Sequence, residues 1–297
     1  MIDKPIKATP TDLILLLGIG AVGAWLLYQA LVTADYHWNW QAIPQYLLRF
    51  DKTSDQWVPG LIFQGLLVTL RLSFWATALA LIMGVVMGLF RTSCSLYRRM
   101  IGSGYVALIR NIPVLVWIFI FYYFIGDRLL PAVSIGPATM GENTAVGGLL
   151  RFVAGEPSRA PAFVSGVLAL AIYEGAYITE IIRAGIQSID RGQWEASAGL
   201  GFSRGQQLRY IILPQAFRRV LPPLAGQFIS TIKDSAIVSV ISIQELTFQG
   251  TELMAATFLT FEVWLTILVI YFIVCLACGL LVERFEKRFQ QNPQRVS

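Results

Sequence analysis

The amino-acid sequence predicts an all-α integral membrane protein with about six transmembrane helices. Of its 297 residues, 56% are apolar and only 14% are charged, and the mean hydropathy is +0.61. Soluble domains carry about 25% charged residues, so the composition alone favours a membrane protein. Six apolar runs and an uneven distribution of Lys and Arg between the connecting segments support the same fold class.

Each apolar run has about the 20 residues that a membrane-spanning helix needs. The first run lies between Asp12 and Asp35 and contains no charge. The others are residues 72–90 with an amphipathic lead-in from Leu61, 105–125, 162–182, 222–243 and 261–282. Pro113 should kink or break the third run, because proline interrupts a helix and restrains the residue before it.

The basic residues predict the orientation of these spans. Fifteen Lys and Arg residues fall on the side that holds both termini, five fall on the other side, and Arg71, Arg110 and Lys233 lie within spans. Cytoplasmic segments carry such an excess, so we expect a multi-pass protein with cytoplasmic N- and C-termini. This topology also explains the net charge of +5. No basic run is interleaved with aromatic residues, so we expect no nucleic-acid partner.

Two further patterns concern the surfaces of the spans. Small residues recur at every fourth position of the second run (Ala76, Ala80, Gly84 and Gly88). This spacing lets helices approach closely in a bilayer, either within the chain or across a dimer. The outer segment 35–60 is rich in aromatic residues, including Trp38, Trp40 and Trp57, which is typical of a belt at the membrane interface.

A polar segment punctuated by glycine and proline, residues 190–223, separates the fourth and fifth runs on the predicted cytoplasmic side. Asp190 is suited to cap a short helix. Gly199 and Gly201 supply residues for a left-handed helix end, so this helix should be only about two turns long. The segment also contains apolar residues on a polar background, a pattern typical of a helix that binds in a groove of another protein (Trp194, Leu200, Phe202, Tyr210 and Phe217).

The second half of this segment should contain further short helical pieces. Ser203 and Gln206 match a capping box and predict a helix start. Pro214 should end that helix and begin the next piece. Pro222 and Pro223 should then separate the whole segment from the fifth span.

Within this segment the chain resembles the EAA loop of ABC-importer transmembrane subunits. Glu195-Ala196-Ser197 is followed by three residues, Gly201, nine residues and Ile211-Ile212-Leu213-Pro214. The family pattern is E-A-A, three residues, G, nine residues and I-x-L-P, and only the small residue Ser197 departs from it. The stretches 176–196, 213–223 and 233–241 resemble the polar amino-acid uptake branch, which includes histidine, glutamine and arginine permeases.

The resemblance covers roughly residues 60–285 and implies a type I ABC importer transmembrane domain there. Residues 1–59 would add a transmembrane helix and an outer loop, and residues 286–297 a cytoplasmic tail. A short coupling helix, residues 193–200, would enter a groove of an ATPase. The resemblance implies coupling roles for Glu195, Ala196, Ser197, Leu200, Gly201 and Pro214.

The resemblance also implies partners and a location in the bacterial inner (plasma) membrane. The partners would be ABC ATPase subunits, a second permease subunit, identical or paralogous, and an extracytoplasmic substrate-binding protein. No Walker A pattern (G-x-x-x-x-G-K-[ST]) occurs in the chain. ATP and Mg²⁺ would therefore be used by the partner ATPase. We expect no catalytic residue, bound cofactor or metal ion in this chain.

Ionisable residues within the spans indicate a substrate path, because burying a charge in lipid is expensive. Glu174 shares a helix face with Tyr177 and would either meet a substrate ammonium group or form a hydrogen bond within the bundle. Glu180 and Arg183 are expected to form an interfacial pair. Polar residues of the fifth span would line the path or pack within the bundle (Gln227, Lys233, Asp234 and Ser235).

These features predict a permease subunit of an ATP-driven amino-acid importer, which forms the translocation path and couples to its ATPase through the EAA loop. The alternative is an ion-coupled secondary transporter or channel for small polar solutes, with Glu174 and Asp234 as ion sites. It leaves the EAA spacing unexplained. An intramembrane enzyme would need a convergent nucleophile and base, which the spans do not offer.

Overall fold

The computed structural model describes residues 10–33, 36–52, 55–124 and 159–290. The chain divides into two units, residues 1–41 and 42–297. The first unit contains α1 (Pro10–Thr33), whose large apolar side chains are exposed along most of its length. Asp12 lies in the first turn of α1, where the helix dipole favours a carboxylate. Most of the predicted outer loop 126–161 lies outside the described residues.

The second unit is mainly helical, and a short 3-10 turn (Trp40–Ala42) leads into it. Its elements are, in chain order, α2 (Pro44–Leu47), β1 (Leu48–Asp51), β2 (Gln56–Pro59), α3 (Leu61–Arg91), α4 (Leu96–Arg110), α5 (Val114–Phe121), α6 (Ala160–Gln187), α7 (Arg191–Gly199), one helical turn (Arg204–Gln206), a π-helical segment (Gln207–Ile212), α8 (Leu213–Asp234), a 3-10 segment (Ser235–Ile241), α9 (Leu246–Thr257) and α10 (Thr260–Gln290).

Helices occupy all six predicted membrane-spanning runs. Within the described ranges, four helices are long and apolar enough to cross a bilayer: α3, α6, the continuous stretch from Arg204 to Ile241, and α10. A fifth span results if α4 and α5 are taken together, and α1 contributes a shorter apolar stretch, Pro10–Trp25. The helix count is thus roughly consistent with the predicted six.

The ridge of small residues on α3 lies against α6. All four of its members are buried (Ala76, Ala80, Gly84 and Gly88). A Cβ added to Gly84 would lie 2.4 Å from Ile178 Cγ2, and one added to Gly88 would lie 2.7 Å from Ile182 Cγ2. The close helix contact predicted from the spacing is therefore within the chain, and the alternative of a dimer contact through this ridge is wrong.

The third run is broken at Pro113, as predicted. α4 ends at Arg110, α5 begins at Val114, and the two helices are bent by 100°. Trp117 Nε1 donates a hydrogen bond to the Ile109 carbonyl across the bend at 3.4 Å. This bond satisfies one of the carbonyls that the end of α4 leaves without a helical partner.

Pro222 and Pro223 do not separate the fifth span from the preceding segment, so that prediction is wrong. α8 runs from Leu213 to Asp234 and contains both prolines. Each proline removes a helical hydrogen bond, but Ala216 and Val220 are buried against α6 just before them. This packing holds the helix continuous where the local rule predicts a break. Membrane helices tolerate such prolines when neighbouring groups satisfy the freed carbonyls.

A β-hairpin lies before α3, in the segment for which the sequence predicted only an aromatic belt. β1 and β2 pair antiparallel with Phe50 opposite Trp57, and the two ring centroids are 5.5 Å apart in an edge-on arrangement. Both rings are exposed. Their position at the membrane interface stays a prediction.

α9 begins at a buried carboxylate. Glu245 Oε1 accepts a hydrogen bond from the Phe248 N–H at 2.8 Å and so caps the helix. Its Oε2 accepts hydrogen bonds from Thr69 of α3 at 3.3 Å and from Tyr271 of α10 at 3.2 Å. One carboxylate thus joins three helices.

Candidate functional site

α7 is short because local chemistry fixes both of its ends. Asp190 Oδ1 accepts the Gly192 N–H at 2.7 Å, which confirms the predicted N-cap. Gly201 has a φ of +81°, in the left-handed region that favours glycine. Gly199 belongs to α7 itself, so the prediction that it also supplies a left-handed residue is wrong. One such residue is sufficient to end the helix.

The C-terminal end of α7 is a Schellman motif. Phe202 N donates to the Ser197 carbonyl at 3.2 Å, and Gly201 N donates to the Ala198 carbonyl at 3.0 Å. The Ser197 side chain is buried, and its hydroxyl donates to the Trp194 carbonyl at 2.9 Å. A small residue is needed at this position because there is little space, and Ser197 meets that requirement.

Most residues of α7 are exposed. Glu195 forms an ion pair with Arg191 at 2.8 Å, and the two side chains are 66% and 91% exposed. Ala196 is exposed as well, and Leu200 at the end of the helix is 77% exposed. A short capped helix that carries exposed charged side chains and ends at an exposed leucine is suited to bind in a groove of another protein.

Two side chains of α7 tie the helix to the segment that follows it. The Arg204 guanidinium carbon lies 4.1 Å from the centroid of the Trp194 ring. Gln215 Nε2 of α8 donates to Gln193 Oε1 at 3.2 Å. The capping box of Ser203 and Gln206 is present, as predicted, with the Ser203 N–H donating to Gln206 Oε1 at 2.8 Å.

Residues 190–223, which we call the coupling loop after the role that the resemblance implies, are packed onto the end of α6. Ile212 and Ala216 join a buried cluster with Ile182 and Ile186. The Arg219 guanidinium donates a hydrogen bond to the Ser188 carbonyl. Pro214 lies in the first turn of α8, as predicted, but a π-helical segment precedes it in place of a helix end. The segment that holds α7 is therefore in direct contact with α6 and continues into α8.

A charged cluster joins α6 to α3 near the same end. Arg183 Nε and Nη2 donate to Glu180 Oε2 at 2.9 and 2.8 Å, which confirms the predicted pair. Arg91, the last residue of α3, forms an ion pair with Glu180 as well. The sequence did not predict this second partner, because Arg91 and Glu180 are distant in the chain.

Within the helical unit, the predicted path residues Glu174, Gln227 and Asp234 are brought together. Glu174 is fully buried, and Gln227 Nε2 of α8 donates to its Oε2. Asp234 and Thr231 approach the same carboxyl group. Glu174 Oε1 is buried and forms no hydrogen bond with any of the described residues. The cluster offers acceptor oxygens to a cationic group.

The other predicted path residues are not part of this cluster. The Tyr177 hydroxyl pairs with that of Tyr173 at 3.0 Å, and Arg110 lies over the Tyr177 ring, 4.9 Å from its centroid. Ser235 is buried and donates to the Ile232 carbonyl, and Lys233 is exposed.

Comparison with known proteins identifies similar sequences. The family described as binding-protein-dependent transport system inner membrane component matches residues 80–291. The chain is 33% identical over 243 residues to a glutamine transport system permease protein of Escherichia coli (strain K12), covering 82% of this chain and 99% of that protein. It is 32% identical over 233 residues to a probable glutamine ABC transporter permease protein of Bacillus subtilis (strain 168), covering 78% and 95%.

Solved structures agree with these similarities. A crystal structure of an amino acid ABC transporter with histidines contains a chain that is 34% identical, with a TM-score of 0.65, covering 85% of this chain and 100% of that one. An inward-facing methionine ABC transporter is 18% identical with a TM-score of 0.57, covering 77% and 95%, and supports the fold alone.

Proposed function

Since the chain belongs to the family of binding-protein-dependent transport system inner membrane components, it is the permease subunit of an ATP-driven importer, and we propose that it transports polar amino acids. Its fold is that of a type I ABC importer transmembrane domain. The similar permeases are named for glutamine, and the similar solved chain comes from an amino acid ABC transporter. A secondary transporter or channel is not favoured, because the family works with an ATPase.

The coupling loop is the proposed contact with a separate ATPase subunit. The main support is α7, a short helix with capped ends that exposes Glu195 and Ala196, ends at the exposed Leu200, and is tied to α8 through Gln193. We assign Leu200 as the apolar anchor, Glu195 and Ala196 as the remaining contact surface, and Ser197, Gly201 and Pro214 as residues that shape the loop. ATP and Mg²⁺ are used by the ATPase in this proposal.

This contact sets the orientation of the subunit. The coupling loop must lie in the cytoplasm, where ATP is available, and an even number of spans then leaves both termini on that side of the bacterial inner membrane. The distribution of Lys and Arg supports the same orientation.

The division of the chain at residues 59 and 285 stays a prediction.

Two further partners complete the proposed transporter. An extracytoplasmic binding protein would deliver the substrate, in line with the description of the family as binding-protein-dependent. A second permease subunit, identical or paralogous, would close the path. α10 exposes apolar side chains along its length, among them Leu268, Phe272 and Leu276. They are available to the bilayer or to that second subunit.

The cluster of Glu174, Gln227 and Asp234 is the proposed substrate contact. Two carboxyl groups from α6 and α8 approach each other with few compensating donors. A substrate ammonium group placed between them would be attracted by both carboxylates and would supply the missing hydrogen bonds. Tyr177, Lys233 and Ser235 would act at other points of the path.

The experiment is uptake into proteoliposomes that contain the permease, its ATPase and the binding protein, with a panel of labelled amino acids. Omission of the ATPase should abolish uptake. Glu174→Gln should raise the KM for the transported amino acid by at least about tenfold, which corresponds to one lost charge-assisted hydrogen bond. Glu252→Gln is the matched control, because Glu252 is exposed on α9. Uptake without the ATPase, or an unchanged KM in Glu174→Gln, would contradict the proposal.

A further inference from the structure

A cavity of about 260 Å³ lies where the coupling loop meets the turn between α3 and α4. Three arginines from three different parts of the chain face it: Arg91 ends α3, Arg99 lies in α4, and Arg204 follows α7. We call it the arginine cavity. Its remaining lining residues are Thr92, Ser93, Ile186, Gln187 and Trp194.

The positive charge of the arginine cavity is poorly compensated. Glu180 pairs with Arg91 but is also held by Arg183. Among the described residues, no carboxylate pairs with Arg99, and the contact of Arg204 is with the neutral ring of Trp194. Guanidinium groups remain charged at any physiological pH. Bringing them together therefore costs free energy unless an anion lies between them.

The donors in the arginine cavity suit a phosphate group. Guanidinium groups present paired N–H donors that match phosphate oxygens, and here they come from separate elements of the fold. Ser93 adds a hydroxyl: its oxygen accepts the Ser95 N–H at 3.2 Å, so its own hydrogen is available to a ligand. A tetrahedral anion has oxygens that can meet donors from several directions at once.

The position of the arginine cavity indicates where the phosphate comes from. Arg91 is the last residue of a membrane-spanning helix, so the cavity lies at the depth of the lipid headgroups. Basic pockets at the cytoplasmic ends of spans are known to hold lipid headgroups. The other source is a soluble phosphate compound from the cytoplasm.

We propose that the arginine cavity binds a phosphate group, from a lipid headgroup or a soluble anion, and that the bound phosphate ties the coupling loop to the α3–α4 turn. The ligand would join Arg204 and Trp194 of the loop to Arg91 and Arg99 of the transmembrane helices. The inference does not depend on the identity of the transported substrate.

The test uses the complete transporter, with its ATPase, in nanodiscs. One arm supplies phosphatidylglycerol in a phosphatidylcholine bilayer and counts the anionic lipids retained per permease by native mass spectrometry. The other arm uses a bilayer of phosphatidylcholine alone. Inorganic phosphate is added in steps, and its binding is measured by the broadening of its phosphorus NMR line. Retained phosphatidylglycerol would identify the lipid as the source, and phosphate binding would identify the soluble anion. Either result supports the site.

The matched variants are Arg99→Gln and Arg98→Gln. Both remove one positive charge from the same turn of α4, but only Arg99 lines the arginine cavity. We expect binding to weaken at least about tenfold in Arg99→Gln and to change less than about twofold in Arg98→Gln. Ser93→Ala, which removes one hydroxyl donor, provides a second variant should Arg99→Gln fail to assemble. The proposal is overturned if neither probe binds, or if Arg98→Gln and Arg99→Gln lose binding equally.

Discussion

The Arg204 guanidinium carbon lies 4.1 Å from the centroid of the Trp194 ring, and this contact closes the turn between α7 and the helical stretch that follows. Trp194 is half-buried and Arg204 is exposed, so their stacking is a cation–π contact near the surface. Such contacts contribute about 0.5–1 kcal/mol at exposed sites and more when they are partly buried. The rigidity of α7 depends in part on this pair.

Trp194→Ala should therefore loosen α7. Loss of about 1 kcal/mol would speed hydrogen exchange of the α7 amides by about fivefold. Tyr210→Ala is the control. The Arg209 guanidinium carbon lies 5.7 Å from the centroid of the Tyr210 ring, but this pair closes no turn. Hydrogen-exchange mass spectrometry of the two variants would answer the question, and equal effects on α7 would contradict this role of Trp194.

Gly201 and Gly199 should respond in opposite ways to substitution by alanine. Neither position has an atom within 4 Å of an added Cβ, so the difference is one of backbone conformation. Gly201→Ala places a side chain at a φ of +81° and should cost about 1 kcal/mol. Gly199→Ala lies within α7 and should stabilise it by about 0.5–1 kcal/mol. In thermal unfolding, the melting temperature should fall in Gly201→Ala and rise in Gly199→Ala. A change in the same direction in both variants would argue against the Schellman end of α7.

Gly84→Ala should destabilise the contact between α3 and α6. The added Cβ would lie 2.4 Å from Ile178 Cγ2, so one of the two helices must shift. We expect a loss of about 1–3 kcal/mol, which is typical of overpacking. Gly104→Ala in α4 meets no atom within 4 Å and should be neutral or slightly stabilising. Melting temperatures in detergent compare the two, and an unchanged value for Gly84→Ala would contradict the intrachain contact.

Glu245 should make stability depend on pH. Burial raises the pKa of Glu245 from its ordinary value of 4.5 to about 7, against the opposing effect of its hydrogen bonds. Between these values the unfolded chain has lost the proton that the folded chain retains, so stability falls as the pH rises from 4.5 to 7. The effect is at most about 3 kcal/mol. Glu245→Gln should remove this part of the pH dependence of the melting temperature. The control Glu252→Gln should leave the pH dependence unchanged. Parallel curves for wild type and Glu245→Gln would contradict the prediction.

Sequence patterns that span only a few residues predicted the coupling loop well. The cap at Asp190, the left-handed Gly201 and the capping box of Ser203 and Gln206 are all formed. Each depends on hydrogen bonds between near neighbours, which a single sequence specifies. The break at Pro113 is local in the same way, because proline has no N–H to donate within the helix.

Features that depend on distant partners were not predicted. The proline rule failed at Pro222 because the packing of Val220 on α6 outweighs it. Glu174 and Gln227 were each predicted to lie on the path, but their hydrogen bond joins positions 53 residues apart, and no sequence pattern indicates it. Arg91 and Glu180 form their ion pair across two spans in the same way.

The central claim is that the ATPase acts on the transmembrane helices through α7. Its most direct test is substrate-stimulated ATP hydrolysis by the assembled transporter that carries Leu200→Asp. Leu200 is 77% exposed, so the change should leave the permease folded. Leu96→Asp is the matched control at another leucine, 63% exposed, at the start of α4.

We expect stimulated hydrolysis to fall by at least about tenfold in Leu200→Asp, the size of effect that loss of an interface anchor produces. Leu96→Asp should hydrolyse ATP at the wild-type rate. If Leu200→Asp also retains the wild-type rate, α7 is not the element through which the ATPase acts.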